Sequence, residues 1–122
     1  MKVIYIAGKY TGQSHDHRSY FEIDQNIKAA MEAAAEFAKA GVGFFCPHSH
    51  CAHFEVITPD VQPAFWYELD LKFLDNCDAI LMLEGWRQSK GSVIEHQEAL
   101  RQGKKVFYDA TSAVVWAKGN ND

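Results

Sequence analysis

The chain has 122 residues, of which 48% are hydrophobic and 23% charged, a composition typical of a single globular domain spanning residues 1–122. Its 12 Lys and Arg against 16 Asp and Glu give a formal net charge of −4, which argues against a nucleic-acid-coating protein because such proteins need a basic surface. No apolar run reaches the length of a membrane span, and the first residues turn to glycine too early for a signal peptide. Three cysteines do not suggest a disulfide framework, so we expect a cytoplasmic protein that binds neither a membrane nor a nucleic-acid polymer.

Four short segments rich in β-branched and aromatic residues predict strands at residues 3–7, 42–46, 79–83 and 106–108. The first and third of these segments are the most continuously apolar. We therefore expect them to lie side by side at the centre of a sheet that is covered on both faces.

Helical patterns lie between the strand segments. The first helix is expected at residues 24–40, with an apolar stripe formed by Ile27, Ala30, Met31, Ala34 and Ala38. The second helix opens at Pro63, and the third covers residues 91–102. Apolar residues at 114–116 indicate one more helical turn, and the small polar residues at 119–122 are expected to fray.

This alternation of strands and helices predicts a parallel α/β sandwich. In such sheets ligands bind beyond the carboxyl ends of the strands, where the winding reverses. The turns at residues 8–12 and 84–92 should then face one crevice, because they follow the two central strands. A long polar connection at residues 48–62 is a further functional candidate.

The start of the third helix supports two interpretations. The small residues Ser89, Gly91 and Ser92 leave backbone N–H groups open to an anion. Glu95 is expected in the first turn, where the helix dipole favours a carboxylate that can attack the anomeric carbon of a sugar. The spacing Ser92-x-x-Glu95 also matches a capping box, and spacing alone favours this structural interpretation.

Asp70 borders the apolar stripe of the second helix, which is formed by Trp66, Leu69 and Phe73. Burial at that border would raise the pKa of its carboxyl group and suit it to acid–base work. A solvated residue at the edge of an amphipathic helix is the commoner case.

The loop that begins Gly8-Lys9-Tyr10 can wrap a phosphate, with Lys9 as a point charge, although an ordinary strand-to-loop turn explains it equally well. Aromatic side chains can stack on a base or simply pack in the core or at an interface; the candidates are Tyr10, Trp66 and Trp86.

Residues 46–53 hold five side chains that can bind a metal, namely Cys46, His48, His50, Cys51 and His53. Their spacing differs from the paired spacing of zinc sites, so a zinc-binding structural protein is only an alternative. We expect instead that His48 and His50 contact a substrate.

Four stretches of the sequence, residues 5–12, 46–50, 70–80 and 85–95, resemble the nucleoside 2-deoxyribosyltransferase-like superfamily, and more closely its small bacterial and phage branch. The resemblance extends to about residue 108. Its most specific part is the string G-W-x-x-S-x-G-x-x-x-E at residues 85–95, which is followed by Ala99, Gly103 and Lys104.

The resemblance implies a flavodoxin-like three-layer sandwich with a parallel sheet of four or five strands. It also implies chemistry at an N-glycosidic bond. In characterised members, the residue matching Glu95 attacks C1′ of the sugar, and the residue matching Asp70 helps to protonate the departing base. The residue six positions before the nucleophile is Asp in the nucleoside transferases and a phosphate-binding Ser in the nucleotide hydrolases; this chain has Ser89.

The expected substrate is therefore a nucleoside 5′-monophosphate or a nucleoside, with no metal or organic cofactor. The loop after the first strand only approximates the Ser and Arg that the hydrolases carry. Hydrolysis and base transfer remain open, as do ribose and deoxyribose. Sites of the superfamily are often completed by a neighbouring subunit, so a homo-oligomer is expected. The alternative is a non-catalytic nucleotide-binding or sensing module on the same fold.

Overall fold

Four parallel strands form the sheet in the computed structural model, which describes residues 1–10, 20–50, 52 and 54–119. The strands are β1 (Val3–Ala7), β2 (Gly43–Phe45), β3 (Ala79–Met82) and β4 (Lys105–Phe107). The helices are α1 (Tyr20–Ala40), α2 (Pro47–His50), α3 (Phe54–Ile57), α4 (Pro63–Asp75), α5 (Lys90–Arg101) and α6 (Ala110–Lys118), and a 3-10 turn covers Trp86–Gln88. The predictions for Thr11, Gly12 and the fraying end at 120–122 lie outside the described residues.

The strand order is β2-β1-β3-β4, and all three pairings are parallel. The prediction that the first and third strands lie side by side is therefore confirmed. Ile4 of β1 aligns with Phe44 of β2 and with Ala79 of β3. This order is that of a flavodoxin-like sheet, in which the winding reverses between β1 and β3.

Helices cover both faces of the sheet because successive residues of β1 point to opposite sides. Ile4 and Ile6 pack with a buried group from α1 and α6 that includes Ala30, Phe37 and Ala113. Tyr5 and Ala7 pack with a second buried group from α4 and α5 that includes Leu74 and Ala99. The result is the expected three-layer α/β sandwich.

The buried face of α1 differs from the predicted stripe. Its buried residues are Ile23, Ala30, Ala33, Ala34 and Phe37. Met31 is 51% exposed, and Ala38 is also exposed. The buried face repeats every seven residues through Ile23, Ala30 and Phe37. Met31 and Ala38 each follow one of these residues directly, and one residue is a rotation of about 100° around a helix.

Within the described ranges, no helix combines the length and the apolar composition that a membrane crossing requires. Cys46 and Cys77 are buried free thiols. Cys51 lies outside the described residues.

Candidate active site

A cavity of about 630 Å³ lies beyond the carboxyl ends of the strands, at the point where the winding of the sheet reverses. Its walls come from the loop after β1, from α2, from the segment running from α3 through α4, and from the first turns of α5. The crevice predicted between the turns at residues 8–12 and 84–92 is present in part, because residues 8, 10 and 89–92 line it whereas residues 84–88 do not. The predicted site residues that line it are Gly8, Tyr10, His48, Trp66, Asp70, Ser89, Gly91, Ser92 and Glu95.

Glu95 is buried at one side of this cavity, with 9% of its surface exposed. The hydroxyl group of Tyr5, in the middle of β1, donates a hydrogen bond of 2.5 Å to Glu95 Oε2. Burial raises the pKa of Glu95 to about 8; the hydrogen bond from Tyr5 opposes this rise in pKa and the neighbouring charge of Asp70 adds to it. The carboxyl group therefore holds its proton more tightly than an exposed glutamate does.

The capping-box interpretation of Ser92 and Glu95 is wrong. The N-cap of α5 is Ser89, which has extended backbone angles and whose hydroxyl oxygen accepts a hydrogen bond of 3.2 Å from the Ser92 N–H. Helix α5 begins at Lys90, so Glu95 lies in its second turn rather than its first. The helix dipole weakens beyond the first turn, which is why burial rather than the dipole decides the pKa of Glu95.

Asp70 lines the same cavity from α4 and is partly buried. Burial raises the pKa of its carboxyl group to about 6, as expected for a residue at the border of the apolar stripe. The charges of Glu95 and Asp70 both act on Tyr5, whose pKa is raised first by burial and then by these two carboxyl groups. Two electrostatically coupled carboxyl groups thus face one cavity, and between about pH 6 and about pH 8 the pair holds one proton.

The first turn of α5 forms a polar wall of the cavity. A Cβ atom on Gly91 would lie 3.0 Å from Tyr67 Cε1, so glycine allows this turn to pack against α4. The hydroxyl oxygen of Ser92 is buried and has no hydrogen-bond partner among the described residues. A helix start with unpaired N–H groups and a spare hydroxyl group is suited to an anionic ligand.

His48 also lines the cavity and is 5% exposed. It follows β2 whereas Glu95 follows β3, and these two strands flank β1. Its Nε2 atom lies 2.9 Å from the carbonyl oxygen of Lys9, and its ring centroid is 5.9 Å from that of Tyr10. The Nδ1 atom is buried and finds no partner in the part of the chain that the structure describes. Burial lowers the pKa of the imidazole, so the neutral form is favoured.

Three predicted site residues lie outside the cavity. The end of the Lys9 side chain packs over Gly85, where a Cβ atom would be 3.3 Å from Lys9 Nζ. His50 contacts Phe45 and Phe73, with ring centroids 5.4 Å and 5.2 Å away. Trp86 is buried against His96, with ring centroids 4.3 Å apart, and the Arg87 guanidinium lies over its ring at 4.7 Å.

Residues missed by the sequence interpretation include Tyr5, Gln62, Tyr67 and Lys90. Tyr5 had a recognisable signal, because a tyrosine within an apolar strand needs a partner for its hydroxyl group once it is buried. Lys90 lines the cavity, whereas the sequence interpretation had expected Lys9 to be the lysine at the binding site. Charge alone does not distinguish these two lysines in the sequence.

The described side chains of the His/Cys-rich segment, residues 46–53, lie in three different environments. Cys46 is in the core beside α1, while His48 faces the cavity and His50 packs on Phe45 and Phe73. Within the described ranges, no three His, Cys, Asp or Glu side chains are grouped so that they can hold a metal ion. Cys51 and His53 lie outside those ranges.

The fold and the site together define a flavodoxin-like α/β protein with a cavity that contains two coupled carboxyl groups. A comparison with protein families matches residues 2–108 to a domain of unknown function, DUF4406. The match covers nearly the whole chain, and the protein belongs to this family. No curated protein matches the sequence.

Proposed function

We propose that the protein cleaves the N-glycosidic bond of a nucleoside 5′-monophosphate, with Glu95 as the nucleophile and Asp70 as the acid. The observation that carries this proposal is that two carboxyl groups, one buried and one partly buried, face one cavity beside the first turn of α5. The sequence resemblance to the nucleoside 2-deoxyribosyltransferase-like superfamily supports the same two roles.

The chemistry follows the usual logic of two carboxyl groups at a glycosidic bond. An oxygen of ionised Glu95 attacks C1′ while the bond from C1′ to the base nitrogen breaks. The electron pair of that bond leaves with the base, which takes a proton from Asp70. Water then attacks C1′ and gives its proton to the Asp70 carboxylate while the bond from C1′ to Glu95 breaks, which restores both carboxyl groups and gives free sugar phosphate. Attack by a second base, which gives its proton to Asp70 in the same way, gives transfer instead. Neither route calls for a metal or an organic cofactor.

In the reactive form of the site, the one proton that the two carboxyl groups hold is on Asp70, and Glu95 is ionised. In the free site the higher pKa of Glu95 keeps the proton mostly on Glu95 near neutral pH. Two groups favour the reverse arrangement during the reaction. The hydroxyl group of Tyr5 donates to the Glu95 carboxylate, and the sugar ring gains positive charge beside it. Both arrangements carry the same single proton, so activity is expected between the two pKa values.

The start of α5 supports a phosphorylated substrate. Ser89 caps the Ser92 N–H, and the N–H groups of Lys90 and Gly91 before it are the ones that, with the buried Ser92 hydroxyl group, suit phosphate oxygens. Lys90 adds a positive charge at the cavity wall. Ser89, which matches the serine that the nucleotide hydrolases of the superfamily use for a 5′-phosphate, is at this turn. A 5′-monophosphate bound there leaves the sugar directed towards Glu95, one helical turn further on.

The expected homo-oligomer and cytoplasmic location are part of the proposal. Exposed apolar side chains lie on α3 and α4, the two helices that form one wall of the cavity; these are Phe54, Ile57 and Phe65. A neighbouring subunit that covered them would close the cavity over a bound nucleotide.

The test compares base release by the wild type, Glu95→Gln and Glu98→Gln. Ribo- and deoxyribonucleoside 5′-monophosphates are incubated with each protein, and free base is separated and quantified. Glu95→Gln should lower the rate by about 1,000-fold or more, because an amide is a poor nucleophile. Glu98→Gln should keep the wild-type rate, because Glu98 pairs with Arg101 on the same helix and is not among the described residues that line the cavity.

Circular dichroism establishes that both variants are folded. Equal rates for the wild type and Glu95→Gln would contradict the proposed nucleophile. Tight binding of a nucleotide by the wild type without any base release would favour the non-catalytic nucleotide-binding module instead.

A further inference from the structure

His48 has one ring nitrogen that is hydrogen-bonded and one that is not. Its Nε2 atom is 2.9 Å from the Lys9 carbonyl oxygen, which can only accept a hydrogen bond. The proton of the neutral imidazole is therefore on Nε2, and Nδ1 carries a lone pair.

The Nδ1 atom is a buried hydrogen-bond acceptor that has no partner within the described ranges. Buried polar groups in folded proteins are nearly always paired, and an unpaired one needs an explanation. His48 also lines the cavity, so a ligand that enters it can supply the missing donor. Burial lowers the pKa of the imidazole and so preserves the acceptor at neutral pH.

The position of His48 suits the end of a nucleotide that is remote from its phosphate. His48 follows β2 and the first turn of α5 follows β3, and these two strands flank β1. Adjacent strands are about 5 Å apart, so β2 and β3 are about 10 Å apart. That distance is within the length of a mononucleotide. A ligand whose phosphate binds at α5 therefore extends towards His48.

We propose that His48 Nδ1 accepts a hydrogen bond from a hydroxyl or amino group of the bound nucleotide and thereby selects ligands that carry a donor at this point. This inference rests on the proposed function for the identity of the ligand class. Two parts of a nucleotide supply such a donor, a ribose hydroxyl group and an exocyclic amino group of the base.

The experiment measures binding by calorimetry in the Glu95→Gln background, which prevents turnover. The probes are AMP, CMP and GMP, each with analogues that lack the 2′-hydroxyl, the 3′-hydroxyl or the exocyclic amino group. At least one of these deletions should weaken binding about tenfold or more, and the deletion that does so identifies the donor.

Adding His48→Gln should abolish that difference between the parent nucleotide and its analogue. The glutamine NH2 group can still donate to the Lys9 carbonyl oxygen, whereas its acceptor oxygen, Oε1, is one bond further from the backbone than Nδ1 and does not take the place of Nδ1. The matched control is His50→Gln, two residues further along α2, whose ring packs on Phe45 and Phe73. His50→Gln should leave the difference in binding between the parent nucleotide and its analogue unchanged.

The inference is overturned if no probe binds, if no deletion weakens binding, or if His48→Gln retains the difference. It is also overturned if nitrogen NMR of the free protein finds the proton on Nδ1. A different result would contradict the proposed function and leave this inference standing. In that case the wild type would release no base, but His48→Gln would still abolish the difference in binding. Base release together with an ineffective His48→Gln change would instead overturn this inference alone.

Discussion

Glu95, Asp70 and His48 owe their protonation states mainly to burial. Desolvation is the largest cause of the pKa shift in all three residues, raising the pKa of the carboxyl groups and lowering that of the imidazole. Each shift in pKa means that the neutral form of the side chain is favoured at the cavity. Perturbed carboxyl groups grouped in a cleft are typical of catalytic sites.

The Asp70→Asn variant tests whether Asp70 is the acid that protonates the departing base. An asparagine amide cannot supply the proton that the departing base needs, so base release should fall by about 100-fold or more. The p-nitrophenyl glycoside of ribose 5-phosphate should react almost as fast as with the wild type, because nitrophenolate leaves without a proton. Release of nitrophenolate and of base from the natural nucleotides is measured in parallel.

The control for this change is Glu68→Gln, an exposed position on the same helix. It should leave both rates unchanged. Equal losses with the two kinds of leaving group in Asp70→Asn would argue against Asp70 as the acid.

At the level of elements, the N-terminus of α5 has a structural role and, in the proposed function, a binding role as well. Ser89 caps the helix, and Gly91 allows its first turn to contact Tyr67 of α4. Helix α6 has an equivalent cap, Asp109, whose carboxylate accepts a hydrogen bond of 2.8 Å from the Ser112 N–H. Helix α6 packs with the core group on the α1 side of the sheet, away from Glu95.

The two caps make a matched pair of variants. Ser89→Ala and Asp109→Ala should each lower the free energy of unfolding by about 1 kcal/mol, because each leaves helix N–H groups without an acceptor. Only Ser89→Ala should also weaken binding of a nucleoside 5′-monophosphate. Urea denaturation and calorimetry with AMP, CMP and GMP measure the two effects. If both variants lost affinity equally, the loss would reflect stability alone and the role of α5 in phosphate binding would be rejected.

At the scale of the whole molecule, the buried Glu95 makes the stability of the fold depend on pH. Its pKa is raised from 4.5 to about 8 on folding, so the folded protein binds this proton more tightly than the unfolded chain. The associated stabilisation is complete below about pH 4.5 and is lost as the pH rises towards 8. The change is worth about 1.4 kcal/mol for each pKa unit crossed.

Glu95→Gln should therefore be more stable than the wild type at pH 8.5, and the advantage should shrink towards pH 6.5. Urea denaturation at these two values measures it, in a range above the pKa of about 6 that burial gives Asp70. Glu98→Gln should decline like the wild type, because hydrogen bonds from Arg101 and Gln102 lower the pKa of Glu98 to about 2 and keep it ionised throughout. An equal decline in Glu95→Gln would show that another group is responsible.

Local patterns in the sequence were sufficient for the sheet and for α1, α4, α5 and α6. They missed the short helices α2 and α3, which lie in or beside the segment 48–62 that was predicted to be a polar connection. Continuous apolar segments at residues 3–7 and 79–83 predict the two central strands, because a strand covered on both faces has no polar side. The order of strands and helices then predicts where the cavity lies. Asp70 and Glu95 could be selected from the residues and from the resemblance, and both line that cavity.

Short-range patterns in the sequence are enough to predict the α/β architecture and the central strand pair. Selecting Glu95 and Asp70 also needed the resemblance, because spacing alone favoured a capping residue and a solvated residue. Three further features are visible only in the folded structure: Tyr5 binds Glu95 across 90 residues of sequence, Ser89 rather than Ser92 caps α5, and His48 rather than His50 faces the cavity. The physical reason is that these outcomes depend on burial and on the direction of each side chain. Both are set by the packing of elements that are distant along the chain.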